Sequence, residues 1–450
     1  MKRQAMKQLL TLMLSAIIIL SALLVSCTPT ETPPESTPNE SPLNESTPGE
    51  STPAETPAAT DPESTPESTP ESTPEEVVPV VSDFEIYSSN SVTPTSCNYA
   101  LKSATPVKKT FRGLFKVQEY GELEYKFFFS NNVDSTFSNG SHSYRAMQTD
   151  PYKIISATVG TTSKALGMGK IDNPKTLTFD GSATRDVDGG EMFWSDEVTI
   201  NVPEKHWIIF EWTVEYTVIA ATNSEGVALA LFECSGSTVT ATDAAPMPAL
   251  IGAKKGDNLR VAFIGDSITM GIGAGNKNYK GWVAQISERV DSDVSVWNLA
   301  LGYARGDDAA NSLAWLEKAK NNDVIVICFG VNDINSGPYQ YSGQRNAVQI
   351  KNDIKTIAKA CEEAGAKVII CSTPPYTYAN ADKVAVWRAL TVQLENLANE
   401  EGYMFFDFAA LLGTADDPSV PAYGGHPNAE GCTVVADAFL ASGLLEACKD

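Results

Sequence analysis

Leu259-Arg260-Val261-Ala262-Phe263-Ile264-Gly265-Asp266-Ser267-Ile268-Thr269 is the stretch that decides the fold. Leu259–Ile264 reads as a buried parallel strand, and the glycine, aspartate and serine follow at its carboxyl end. Four more apolar runs lie downstream, at Val294–Leu299, Val324–Phe329, Val368–Cys371 and Tyr403–Phe406. Helical stretches near 281–290, 308–320, 346–364, 383–400 and 428–445 separate or follow them. Such alternation predicts an α/β three-layer domain over residues 256–450, a parallel sheet wrapped by helices on both faces. A ligand site then lies at the carboxyl ends of the strands.

Upstream, residues 81–248 have a β texture. Lys126-Phe127-Phe128-Phe129, Ile154–Val159, Glu197–Val202 and Trp207–Val214 are alternating or wholly apolar runs. Asn139-Gly140 and Asp188-Gly189-Gly190 punctuate them as turns, which predicts an all-β sandwich or jelly roll. The Pro-containing stretch Ala244–Pro248 reads as the join.

The N-terminus reads as an address. Lys2, Arg3 and Lys7 precede an apolar run, Leu9–Val25, short for a bilayer span, so residues 1–27 are expected to be a secretion signal. Leu24-Val25-Ser26-Cys27 resembles a bacterial lipobox, which implies lipid attachment at Cys27 and an extracytoplasmic, membrane-anchored location. Residues 28–80 contain six Glu-Ser-Thr-Pro copies and almost nothing apolar. They are expected to form an extended tether, because too little can be buried to offset ordering entropy.

The formal net charge is −23; with the basic signal and the twelve tether acids set aside, −14 falls on residues 77–450. An acidic body without a Lys/Arg cluster argues against nucleic acid and against direct adhesion to anionic lipid. The expected membrane contact is the anchor alone, and the expected state a monomer. Seven cysteines besides Cys27 include Cys97 and Cys234, which either bridge or stay free. Cys328 and Cys371, at strand ends, read as small buried thiols. No metal-ligand spacing occurs, and neither metal nor cofactor is expected.

Ser267 is either a helix cap in an ordinary turn or a hydroxyl presented at the sheet's mouth. Asn298–Gly302 follows the second strand, Gly330-Val331-Asn332-Asp333 the third, and Gly424-Gly425-His426-Pro427-Asn428 precedes the last helix. A serine attacking an ester needs a base for its proton and donors for the developing oxyanion. A histidine, a glycine N–H and an asparagine amide are the required types. The absence of a G-x-S-x-G elbow or a P-loop removes the α/β-hydrolase and nucleotide-binding readings. His142 and His206, in the β half, read as structural or surface residues.

Gly265-Asp266-Ser267-Ile268, Gly302, Gly330-Val331-Asn332-Asp333 and His426-Pro427 together resemble the successive blocks of the SGNH/GDSL hydrolases. The resemblance covers residues 258–450 and implies a flavodoxin-like fold and metal-independent ester hydrolysis. By the same resemblance Ser267 is the nucleophile and His426 the base. The oxyanion hole would be the N–H groups of Ser267 and Gly302 with the Asn332 amide. Two departures stand out. Gly306-Asp307 competes with Gly302, and Tyr423 occupies the place of the family's acidic residue. Either the site is a Ser–His dyad, or Asp416 or Asp417 folds back as the third member.

The β half followed by such a domain is similar in layout to two-domain bacterial carbohydrate esterases. The expected activity is removal of small acyl groups, chiefly acetyl, from polysaccharide outside the cell. The alternatives are a lipase or short-chain acyl esterase, and a catalytically weakened surface carbohydrate-binding protein.

Overall fold

The computed structural model describes residues 82–134, 137–138, 141–142, 147–164, 170–223, 230–275, 278–335, 344–412, 421–422 and 425–449. The signal, Cys27 and the Glu-Ser-Thr-Pro segment lie outside the described residues.

The parallel sheet has five strands, in spatial order Val294–Asn298, Leu259–Gly265, Val324–Cys328, Lys367–Cys371 and Met404–Phe406. Numbered along the chain this is 2-1-3-4-5, the flavodoxin-like winding. Successive side chains serve opposite layers. Ala262 and Ile264 pack with Trp315, Ile350, Ile354, Leu390 and Leu394. Val261 and Phe263 pack with Trp282, Ile286, Val435 and Phe439 on the other face. Both faces are covered, which is why the strands read as unbroken apolar runs. The strand order reverses at Leu259–Gly265, so a crevice opens at that strand's carboxyl end. The helical stretch predicted over 308–320 is two helices, Gly306–Asn311 and Leu313–Lys320. Ser312 leaves helical angles and its hydroxyl accepts the Trp315 N–H at 3.2 Å, starting the second helix anew.

The upstream half contains two antiparallel sheets stacked face to face. One includes Tyr87–Ser89, Leu250–Lys254, Gly121–Ser130, Met192–Trp194 and Val198–Val202. The other is built on the long strands Tyr99–Phe115, Tyr152–Thr162 and Trp207–Asn223. Between them Phe127 stacks on Phe210 at 5.9 Å and Phe129 on Trp212 at 5.1 Å. Phe128, facing the opposite way, enters the core of the parallel half with Leu250, Trp297 and Leu299. The Phe127–Phe129 end of that strand is therefore apolar on both faces. Leu250–Lys254, beyond the prolines read as the join, still pairs with Gly121–Ser130, so the chain crosses between halves only at 255–258.

The outer strand of the parallel sheet, Val294–Asn298, is covered from the antiparallel half. The Gln118 side chain donates to Val294 O at 2.6 Å and accepts from Val296 N at 3.4 Å, occupying an edge that would otherwise be open. Cys97 and Cys234 are both free thiols, as are Cys328, Cys361, Cys371, Cys432 and Cys448. Among the described residues no helix is long and apolar enough to cross a membrane.

Candidate active site

Ser267 opens the short helix Ser267–Met270 directly after its strand. The cap is Asp266, whose carboxylate accepts the Ile268 N–H at 2.9 Å. The capping role thus belongs to the neighbour, and the serine hydroxyl is left for other work. Ser267 is only 6% exposed, and its Oγ lies 2.8 Å from His426 Nε2.

His426 arrives on the strand His426–Pro427, which pairs with Pro421–Ala422. Immediately after it Asn428 caps the helix Ala429–Ala441, accepting the Gly431 N–H at 2.8 Å. The Tyr376 ring stands edge-on to the imidazole, with centroids 5.6 Å apart. Gly273 backs the same histidine at a φ of +95°, and a Cβ there would lie 2.6 Å from His426 Cβ. Sequence reasoning missed both Tyr376 and Gly273. Neither belongs to a recognisable block, and only the fold brings them to the histidine.

The second block is tied along the serine's strand: Leu299 N–H donates to Phe263 O at 2.8 Å and Leu301 N–H to Gly265 O at 3.1 Å. Gly302 follows in the turn. Its competitor is committed elsewhere, because the Gly306 N–H donates to the Asp333 carboxylate at 3.2–3.3 Å. No hydrogen bond among the described residues uses the Gly302 N–H. Ser267, first in its helix, likewise has no carbonyl one turn back to receive its own N–H.

In the third block Gly330 takes a φ of +126°, and a Cβ there would strike the Thr373 side chain. Asn332, in the helix Val331–Asn335, donates one amide hydrogen to Ala304 O at 3.0 Å and retains the other. The second and third blocks are thereby joined at Ala304.

Behind them lies a buried charge cluster whose extent the sequence did not reveal. Arg305 and Asp333 are fully buried. Arg305 Nε is 3.1 Å from Asp307 Oδ1, close enough for charge pairing though not aligned as a hydrogen bond. Arg345 bonds Asp307 at 3.0 Å and also pairs with Asp353. Burial pushes the Asp333 carboxyl up to about 7 against the pull of Arg305. Asp266 is raised to about 7 as well, chiefly by burial, with the Asp333 charge adding to the shift. The signal was present as Arg305-Gly306-Asp307-Asp308, but it read only as a rival glycine.

Asp416, Asp417 and Tyr423 lie outside the described residues. His206 remains in the antiparallel half, its Nδ1 3.1 Å from Glu204 O. No cluster of three or more metal-ligating side chains occurs among the described residues.

Residues 263–434 match the GDSL-like lipase/acylhydrolase family. A curated acetylxylan esterase from Xylanibacter ruminicola is 29% identical over 215 residues, 43% of this chain and 44% of its own length. The chain therefore spans less than half of that relative. A solved member of the lipolytic G-D-S-L family from Veillonella parvula is 22% identical, with a TM-score of 0.35 over 40% of this chain and 96% of its own. An acetyl-xylooligosaccharide esterase from Geobacillus is 18% identical, with a TM-score of 0.34 over 41% of this chain and 93% of its own. Residues 263–434, which carry the successive sequence blocks gathered at one end of the parallel sheet, form a domain that matches the GDSL-like lipase/acylhydrolase family.

Proposed function

We propose that the protein is a serine esterase that removes small acyl groups, chiefly acetyl, from polysaccharide outside the cell. The observation that carries this reading is the 2.8 Å approach of Ser267 Oγ to His426 Nε2 at the topological switch point of the sheet. Nε2 takes the hydroxyl proton as Oγ attacks the ester carbonyl. The N–H groups of Ser267 and Gly302 and the free Asn332 amide hydrogen receive the oxyanion. On collapse His426 returns the proton to the departing alcohol, and a water activated by the same nitrogen then releases the acid from Ser267. No step calls on a metal or cofactor. The acetylxylan esterase relative supports an acetylated glycan as substrate. The lipobox-like Cys27 and the Pro-rich tether support an anchored location facing polymer outside the cell.

The test is release of acetate from acetylated xylan by the full chain, set beside hydrolysis of p-nitrophenyl esters of increasing chain length. Preference for long acyl chains would replace this reading with a lipase. Lack of turnover on every ester, with the chain folded, would leave a binding protein.

Asn332→Ala is expected to lower kcat by roughly 10²–10³ with little change in KM, as loss of one oxyanion donor does. A loss confined to KM would make Asn332 a ground-state contact.

The third member is decided by two variants. For a Ser–His dyad, Asp416→Asn and Asp417→Asn are each expected to reduce kcat no more than a few-fold. A loss of about a thousandfold or more in either variant, with folding intact, would identify that aspartate as the acid that orients the imidazole.

A further inference from the structure

We infer that a buried strap of the antiparallel half, residues 90–98, is part of the catalytic apparatus, with Ser96 as a positioning residue for the oxyanion segment. This rests on the esterase reading and on Gly302 as an oxyanion donor. This strap, all of it buried, leaves the strand Tyr87–Ser89 and runs from the antiparallel half across the edge strand Val294–Asn298. Its contacts converge just before Gly302. The Ser96 hydroxyl donates to Leu299 O at 3.1 Å, and the Trp315 indole N–H donates to the same oxygen at 2.9 Å. Both lone pairs of that carbonyl are therefore engaged, one from each half. The Trp297 indole N–H donates to Ala249 O at 3.0 Å and reaches Thr95 Oγ1 at 3.3 Å. One residue further along the strap, the Cys97 N–H donates to Asp134 Oδ2 at 3.1 Å, and Asp134 pairs with Lys318 with neither side chain exposed. Lys318 and Trp315 share the helix Leu313–Lys320, so strap, helix and Leu299 form one closed frame.

From Leu299 the frame passes to the site through few bonds. The Ala300 N–H donates to Asn298 Oδ1 at 3.0 Å, and the Leu301 N–H holds Gly265 O, two residues before Ser267. The peptide that follows presents the Gly302 N–H. Removing one of two donors on Leu299 O loosens the plane of the 299–300 peptide, which the Trp315 and Asn298 bonds still hold, and the small error is carried to a donor whose value depends on aim. Misplacement by about 1 Å in such a site costs up to roughly a hundredfold in rate.

The test compares two interfacial hydroxyls in the full-length chain. Ser96→Ala removes the bond beside the oxyanion segment. Ser88→Ala removes an equivalent bond, from Asn258 Nδ2 at 2.9 Å, at the start of the serine's strand and about 20 Å from Ser267. On p-nitrophenyl acetate, Ser96→Ala is expected to lower kcat by about 5–20-fold with KM within about twofold. Ser88→Ala is expected to leave both near wild type. If Ser96 acts through the oxyanion hole, its effect shrinks to less than about twofold when Asn332 is already alanine, since the two changes then damage one device. Equal effects of the two serine variants, or full additivity with Asn332→Ala, would reduce the strap to a stabilising contact and overturn the proposal. An inactive wild type would instead overturn the esterase reading itself.

Discussion

Ser267→Ala is expected to abolish ester hydrolysis, with kcat falling by roughly 10⁵-fold or more and the unfolding transition nearly unchanged. Among the described residues the hydroxyl is the nucleophile at the sheet's mouth with a base in reach, His426 Nε2 at 2.8 Å. A fall of that size is about 7 kcal/mol of transition-state stabilisation, far beyond what any single contact of the side chain supplies in the ground state. Folding does not depend on it. The helix that begins at Ser267 is capped by Asp266 through the Ile268 N–H, and that bond survives the substitution. The serine is also small and lies next to the crevice, so little packing is lost. Labelling by a fluorophosphonate should vanish in parallel, since both reactions form a bond to the same oxygen. Turnover in the variant within tenfold of wild type would remove Ser267 as nucleophile.

The parallel half was legible because its strands are buried on both faces. Leu259–Gly265 and Val324–Cys328 carry no period-two polarity to misread, and the helices between them fill the regular intervals of a βαβ chain. Where prediction slipped, a side chain intervened locally. Ser312 turned one expected helix into two by capping the second. The end of the antiparallel half was drawn too early because prolines mark turns, yet the strand Leu250–Lys254 after them returns to that half. The approach of Ser267 to His426, across 159 residues, agrees with what the resemblance of their two blocks implied. What could not be foreseen was the support. Gly273 behind the imidazole, Ser96 on Leu299 and Lys318 with Asp134 are contacts between segments distant in the chain, and no local pattern announces them. The rivalry between Gly302 and Gly306 shows the same limit. Both are glycines near a strand end, and only the Asp333 carboxylate, arriving from the next strand, sets them apart.

His426→Ala is expected to cost nearly as much as loss of the serine, roughly 10⁵-fold in kcat, because the two groups act as a unit. Without Nε2 the Ser267 hydroxyl must attack with its proton in place, and the leaving alcohol must depart without receiving one. Two companion variants separate chemistry from packing. His426→Asn keeps much of the side-chain volume beside Tyr376 and Gly273 but supplies no base, so it should be as inactive as alanine. The alanine variant leaves a gap between the Tyr376 ring and the Gly273 backbone, at the position of the lost ring. Added imidazole should enter that gap and restore part of the rate, in a saturable manner, whereas the asparagine variant should respond weakly because its space is filled. An asparagine variant retaining more than about a tenth of wild-type kcat would mean that the histidine only shapes the pocket. Rescue of the alanine variant, with inactivity of the asparagine one, assigns the proton transfer to the imidazole nitrogen that faces Ser267.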